Sequence, residues 1–244
     1  MSPPEIVTDS AELVSRVRQL ADSGAAEGGL AEGGGRLLLG ITGTPGAGKT
    51  TLAVALVEHL NAELGPDVAV HLPMDGFHLA NATLDRLGRH DRKGALDTFD
   101  GWGFVALLSR LREEVEHEVY APSFRRTVDE PIAGEITIPA GVRVVVVEGN
   151  YLLVDEPPWD RVTALLDEVW FCVTAADERR RRLVDRHTRH GRTPAAAEAW
   201  ATGVDGANAA LIERTRSRAD LLVSGTAPLS PRNDPGNDKS PRRR

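Results

Sequence analysis

Gly43-Thr44-Pro45-Gly46-Ala47-Gly48-Lys49-Thr50 satisfies G-x-x-x-x-G-K-[ST] at every fixed position. No other stretch constrains the chain as strongly. Glycines let the backbone curl until its N–H groups converge on an anion, and the helix that follows presents its positive end to the same anion. Lys49 is expected to reach the β- and γ-phosphates of a nucleotide, and the Thr50 hydroxyl to ligate Mg²⁺. Such a loop needs a buried strand before it and a helix after it. Both are legible: Leu37-Leu38-Leu39-Gly40-Ile41 is a short apolar run, and residues 49–64 have helical spacing. The nucleotide-binding set is therefore Gly43, Thr44, Pro45, Gly46, Ala47, Gly48, Lys49, Thr50 and Thr51. A dinucleotide fingerprint is excluded, because these glycines do not form G-x-G-x-x-G.

Beyond the loop, strand-like and helix-like segments alternate. That pattern argues for an α/β three-layer domain with a parallel sheet covered on both faces. Strands are expected at 68–72, 142–147, 169–173 and 221–223, and the run Val144 to Val147 is the strongest of them. Helices are expected over 9–22, 101–118, 159–166 and 176–190, and in part over 195–216 with Gly203 and Gly206 as breaks. Residues 24–35 are rich in Gly and Ala and read as a flexible connection. The chain thus divides into an N-terminal helix and linker (1–35), a compact domain (36–225) and a tail (226–244). The tail is made of Pro, Ser, Asn and Arg with almost nothing to bury, so disorder is expected there. Residues 76–100 form a polar, irregular connection of the kind that is usually functional or mobile.

A phosphate loop alone does not separate kinases from GTPases, transport ATPases or motors. The chain has no Asn/Thr-Lys-x-Asp segment for guanine, no Asp-x-x-Gly after a strand and no ABC-type signature. The acidic residue after the strongest strand is Glu148. Residues 177–192 carry seven arginines, among which Arg179, Arg182, Arg186 and Arg189 are spaced 3, 4 and 3 and share one helix face. Such a face suits a triphosphate and the charge that develops in phosphoryl transfer. A merely solvated basic helix is the competing reading. Arg179 opens the helix and is expected nearer solvent than Arg182 and Arg186.

Five further segments follow the loop in order: Met74-Asp75-Gly76-Phe77-His78, Arg92-Lys93-Gly94, Tyr120-Ala121-Pro122, Val147-Glu148-Gly149-Asn150-Tyr151 and Thr215-Arg216-Ser217-Arg218-Ala219. With the loop, this series resembles the phosphoribulokinase, uridine kinase and type I pantothenate kinase superfamily of P-loop kinases. The similarity is greatest to its bacterial nucleoside/nucleotide kinase-like branch, over residues 36–224. The resemblance implies a P-loop domain with a small helical lid, ATP and Mg²⁺ as cofactors, and transfer of the γ-phosphoryl group to a hydroxyl of a nucleoside, a sugar or a pantothenate-like molecule. It makes Asp75 the catalytic carboxylate, a role that a position beyond a strand's carboxyl end also suits. Lys49, Arg182 and Arg186 would assist transfer, Arg189 would contact ATP from the lid, and Glu148 would orient Mg²⁺. Phe77, His78, Arg92, Lys93, Tyr120, Asn150 and Tyr151 would serve the acceptor. In one place the chain departs from the pattern. Related kinases often carry Asp after the aromatic residue of a Pro-x-aromatic segment, whereas Pro122-Ser123-Phe124 is followed by Arg125-Arg126. Two other readings stay open. A nucleotide hydrolase acting as a switch is disfavoured by the missing guanine segment, and a non-catalytic ATP-binding regulator would bind ATP without transferring phosphate.

Composition narrows the partners. A formal net charge of −7 over 244 residues argues against a general nucleic-acid or membrane binder, so any anion must be held by a local cluster of cations. The lone Cys172 allows neither an internal disulfide nor a cysteine-based zinc site and reads as a buried strand residue. There is no signal-peptide pattern and no apolar run of about 18 residues. A cytoplasmic protein acting on a small molecule is expected, with a homodimer left open.

Overall fold

The computed structural model describes residues 5–26 and 35–226. Most of the connection expected at 24–35, and nearly all of the tail expected at 226–244, lie outside the described residues.

In chain order the elements are β1 (Ile6–Val7), α1 (Ser10–Ala26), β2 (Leu37–Thr42), α2 (Lys49–Leu64), β3 (Ala69–Pro73), α3 (Asn81–Leu87), α4 (Gly101–Glu113), β4 (Val119–Arg125), β5 (Glu130–Ile138), β6 (Val144–Glu148), β7 (Glu168–Val173), α5 (Ala176–Arg189), α6 (Pro194–Thr202), α7 (Val204–Glu213) and β8 (Leu221–Ser224). Six strands form one parallel sheet in the order β1-β8-β7-β2-β6-β3. The remaining two, β4 and β5, pair antiparallel as a separate hairpin. Every residue of β2 is buried, and so is every residue of β6, as continuous apolar runs under two covering layers require.

Alternation along these strands sorts side chains between two cores. Leu38, Val145, Val147, Val169 and Phe171 face α4, α7 and a group of aromatic residues. Leu39, Ile41, Val144, Val146, Trp170 and Cys172 face α1 and α2. Helix starts follow local chemistry. Asp100 caps α4 by accepting the Gly103 N–H at 2.8 Å, and Thr193 caps α6 with Pro194 in the first helical position. The expected helix at 159–166 is instead a pair of 3₁₀ turns, Trp159–Arg161 and Thr163–Leu165. The expected break near residue 203 lies between α6 and α7, while Gly206 is accommodated inside α7.

The N-terminal helix is part of the sheet's covering layer. Ile6 and Val7 pair with Leu222 and Val223, and Leu13, Val14, Val17 and Ala21 are buried against β2 and α2. Arg16 Nε donates to Glu168 Oε1 at 2.5 Å, which ties α1 to the start of β7. The hydrophobic core therefore extends upstream of Arg36, where the compact domain was expected to begin. Leu13→Ala should lower the unfolding free energy by about 2–5 kcal/mol, the usual cost of truncating a buried leucine, read from urea melts. A loss below about 0.5 kcal/mol, typical of surface positions, would mean that α1 is only loosely attached.

Candidate active site

The register of the sheet assembles the site. Ile41 on β2 pairs with Glu148 on β6, Pro73 on β3 pairs with the same Glu148, and Thr42 pairs with Phe171 on β7. Four neighbouring strands thus end on one crest, where open parallel sheets bind ligands. The phosphate loop rises from β2 at that crest. Gly48 precedes α2 with φ of 100°, and a Cβ there would lie 2.5 Å from the Gly225 carbonyl oxygen, so only glycine fits. Lys49 is buried, and its Nζ donates to the Thr44 carbonyl at 3.2 Å. Burial pushes the Lys49 ammonium below its ordinary pKa, against the nearby carboxylates of Glu148 and Asp75, which raise it. Thr174, just past β7, and Cys172 both donate to the Ala47 carbonyl, at 2.8 and 3.3 Å, and brace the loop from the side. Burial pushes the Cys172 thiol up to about 11, as suits a strand residue and not a nucleophile.

Thr50 Oγ1 donates to Glu148 Oε2 at 3.1 Å. Two hard oxygen donors side by side at the mouth of a phosphate loop fit Mg²⁺, which takes few protein ligands and completes its shell with water and phosphate. Among the described residues no group of three or more His, Cys, Asp and Glu gathers as a metal cage. Behind Glu148, His71 Nε2 is buried without a hydrogen bond, 3.8 Å from the carboxylate.

Asp75 lies two residues beyond β3 in a 3₁₀ turn, Met74–Phe77. The turn is pressed against the β4–β5 hairpin, and a Cβ on Gly76 would meet the Pro122 carbonyl oxygen at 2.1 Å. Only a glycine allows this approach. Burial alone would push the Asp75 carboxyl up. His78 in its protonated form, with Arg126, Lys49 and Arg186, outweighs burial and holds it below the ordinary carboxylate range. Arg126 Nη2 touches Asp75 Oδ2 at 3.2 Å. His78 Nδ1 donates to the Asp75 carbonyl at 2.8 Å, and its ring lies against Phe99 and Phe124.

The lid helix α5 divides its arginines. Arg182 Nη1 donates to the Gly225 carbonyl at 3.2 Å, its Nε donates to Glu178 at 2.7 Å, and it lies beside the phosphate loop. Arg186 is half-buried, and its guanidinium has no hydrogen-bond or ion-pair partner among the described residues. Burial pulls its pKa down, and so does Arg126, while Asp205, Asp75 and Glu148 raise it. Arg189 instead points away, 69% exposed and paired with Asp185 at 2.5 Å. Arg179, expected near solvent, lines a cleft of about 600 Å³ between α5, α7 and the end of β7 that also borders Thr44.

The predicted acceptor residues scatter. Lys93 is buried and bonded to Asn81 and Asp129 of the hairpin turn, and Arg92 is paired with Asp97 at 2.8 Å. Asn150 accepts the Thr42 hydroxyl through its backbone carbonyl at 3.1 Å. Phe77 belongs to the core, edge-on to Phe104 at 5.1 Å. Tyr151 is also a core residue packed on Phe99 and Trp159, with only its hydroxyl reaching out to donate to the Gly94 carbonyl at 2.6 Å. Tyr120 is 55% exposed and bonds Glu118, away from Asp75. Three residues at the site were not singled out from sequence: Arg126, Asp205, which pairs with His187 of α5 at 2.7 Å, and Asn208, which donates to the Gly94 carbonyl at 3.0 Å. Only Arg126 had a signal, as the departure at 125–126.

A parallel sheet in this order, a complete phosphate loop and a lid helix define a P-loop kinase. Residues 38–228 match the Phosphoribulokinase / Uridine kinase family, and the chain belongs to it. It is 39% identical over 161 residues to the ATP-dependent kinase-like protein notR' of Aspergillus versicolor, covering 62% of this chain and 94% of that one. The crystal structure of a provisionally named fructose transport system kinase from Silicibacter sp. TM1040 superposes with a TM-score of 0.72 at 40% identity, over 84% of this chain and 97% of that one. The structure of YFH7 from Saccharomyces cerevisiae, described as a circularly permuted P-loop kinase, gives a TM-score of 0.74 at 19% identity over 88% of this chain and 98% of that one, a likeness of fold alone. No helix among the described residues is long and apolar enough to cross a membrane.

Burial holds the His78 ring below its ordinary value of 6.5, with Asp75 opposing the shift. The unfolded chain therefore takes up this proton first, and the stability contributed by neutral His78 is lost as pH falls below about 6.5. Between pH 8 and 6.5 the imidazole ¹⁵N shifts of His78 should report a smaller charged fraction than a free histidine shows, with the neutral form protonated on Nδ1. A ring that is half-charged at pH 7 would contradict this.

Proposed function

We propose that the chain transfers the γ-phosphoryl group of ATP, with Mg²⁺, to a hydroxyl of a small metabolite. One observation carries the reading: the Asp75 carboxylate stands in the turn just past β3 at the strand crest, 3.2 Å from Arg126 and within the field of Lys49 and Arg186. A switch hydrolase or an ATP sensor has no need of a carboxylate aimed at an acceptor.

In this reading the loop's N–H groups and Lys49 hold the β- and γ-phosphates. Mg²⁺, held by Thr50 and Glu148 directly or through water, would supply charge neutralisation between the β- and γ-oxygens. Asp75 accepts the proton of the acceptor hydroxyl as its oxygen bonds to the γ-phosphorus. The bond from that phosphorus to the bridging β-oxygen breaks, and ADP leaves with the electron pair. Arg186, with no other partner, faces the negative charge that grows on the transferring group. Arg182 grips the loop and α5 together and positions Arg186.

Lys49→Ala should remove nearly all ADP production while leaving the thermal transition close to its place, because apart from the phosphate contact the fold loses one hydrogen bond, to the Thr44 carbonyl. Near-normal turnover in the folded variant would sink the kinase reading. Asp75→Asn keeps the shape but cannot accept the proton, so kcat should fall about 10²–10⁴-fold with ATP affinity retained. Loss of ATP binding in parallel would make Asp75 a metal ligand and not the base.

A further inference from the structure

Among the described residues Arg126 has a single partner, and that partner is the carboxylate expected to do the chemistry. The contact is no accident of a free loop. The hairpin that carries Arg126 is fastened to the acceptor side at four points. Gly76 lies under Pro122. His78 and Lys93 flank the Phe124 ring, with centroid distances of 4.7 and 5.0 Å. Lys93 bonds Asp129, and the Asn81 N–H donates to Glu130 at 3.0 Å. Of the two adjacent arginines, Arg125 is drawn away to Glu135, which leaves Arg126 facing Asp75.

The charge balance beside Asp75 is uneven. Arg92 and Lys93 are already neutralised by Asp97 and Asp129. Arg186 has acidic neighbours in Asp205, Asp75 and Glu148, whereas Arg126 has Asp75 alone among the described residues. A nucleotide on the phosphate loop is expected to engage Lys49 and Arg186, whereas Arg126 stands on the hairpin, on the other side of Asp75. When Asp75 takes the acceptor's proton it loses its charge, and Arg126 loses its partner. A guanidinium that loses its counter-ion as an acceptor covers it is left poorly paired, and its planar fork matches a carboxylate or a phosphate. The Arg126 side chain is 48% exposed, so it can leave Asp75 without dismantling packing.

We propose that Arg126 is a latch on Asp75 which an anionic acceptor opens: the molecule phosphorylated carries a carboxylate or phosphate ester besides its reacting hydroxyl, and pairing of that anion with Arg126 frees the base. The proposal rests on the kinase reading and names its acceptor class. The latch also keeps Asp75 from activating water while no acceptor is bound.

The test uses the full chain and three-, five- and six-carbon polyols, each offered as the neutral alcohol, the carboxylate and the phosphate monoester. ADP release should show kcat/KM at least about 10-fold higher for anionic members, and Arg126→Ala should cut that preference by about 10–100-fold, the range for a hydrogen bond to a charged group. The better of the two anionic series identifies the anion. In a parallel assay without acceptor, Arg126→Ala should raise ATP hydrolysis several-fold, and adding Asp75→Asn should cancel the rise. Turnover of neutral alcohols alone, or of no member, overturns the proposal, as does hydrolysis unchanged or lowered in Arg126→Ala. If neutral alcohols are turned over and Lys49→Ala abolishes it, the kinase reading survives and the latch does not.

Discussion

A strand with no solvent on either face anchors this molecule. β2 lies between β6 and β7, buried along its whole length, and the phosphate loop is the first backbone able to leave the sheet after it. Parallel pairing then sets which residues meet the loop. Glu148 can reach Thr50 because its strand is in register with Ile41, and Asp75 arrives beside Glu148 because Pro73 pairs with it. Slipping β6 by one residue would turn Val147 toward the crest and bury the carboxylate in a core, so the valine run that stabilises the sheet also aims the site.

The second constraint is the pressing of the hairpin onto the Met74–Phe77 turn. The main sheet ends at the crest, and β4 and β5 stand over the Asp75 turn, held by backbone-to-glycine contact at Gly76 and by the ionic contacts of Lys93. This explains why a glycine follows Asp75, and it gives Lys93, expected on the acceptor, a place fastening the hairpin. Arg36 performs a similar task below. Buried between the layers, it donates to the carbonyls of Leu111, Glu114 and Pro139, joining the end of α4 to the end of the hairpin.

The phosphate loop, the flanking β2 and α2, the valine strand and the lid helix were legible because each combines a strong period with a chemically demanding motif. The hairpin was not. β4 contains Pro122, and its ladder shifts register between Ala121 and Ser123; β5 contains Pro131 and Gly134, and its turn has no Asn-Gly or Asp-Gly signal. A two-stranded ribbon exposed on much of its surface leaves no clean alternation to read. The docking of α1 was hidden for another reason: β1 is two residues long, and a glycine-rich stretch suggests separation where packing decides otherwise. Aromatic residues near the motif looked like acceptor walls, yet Phe77 and Tyr151 face inward, because a crest built on aromatics must be supported from below. The Arg125-Arg126 departure was visible, but which arginine turns inward depends on Glu135, across the hairpin.

Around the crest, Lys49, Arg126 and Arg186 meet Asp75 and Glu148, three cations against two carboxylates, while burial favours a neutral His78. Lys49 and Arg186 are both pushed down by burial and repel each other, so their charge is only partly compensated while no phosphate is present. Fixed positive groups that need no rearrangement are what a transferring phosphoryl group requires. The same cations work against the base. A carboxylate held below its ordinary range is a weak proton acceptor, and the closest of its neighbours is Arg126. In the proposed reaction Lys49 and Arg186 serve the phosphates, so Arg126 is the cation whose departure would raise the basicity of Asp75. The hairpin that carries it would then set that basicity through whatever it binds.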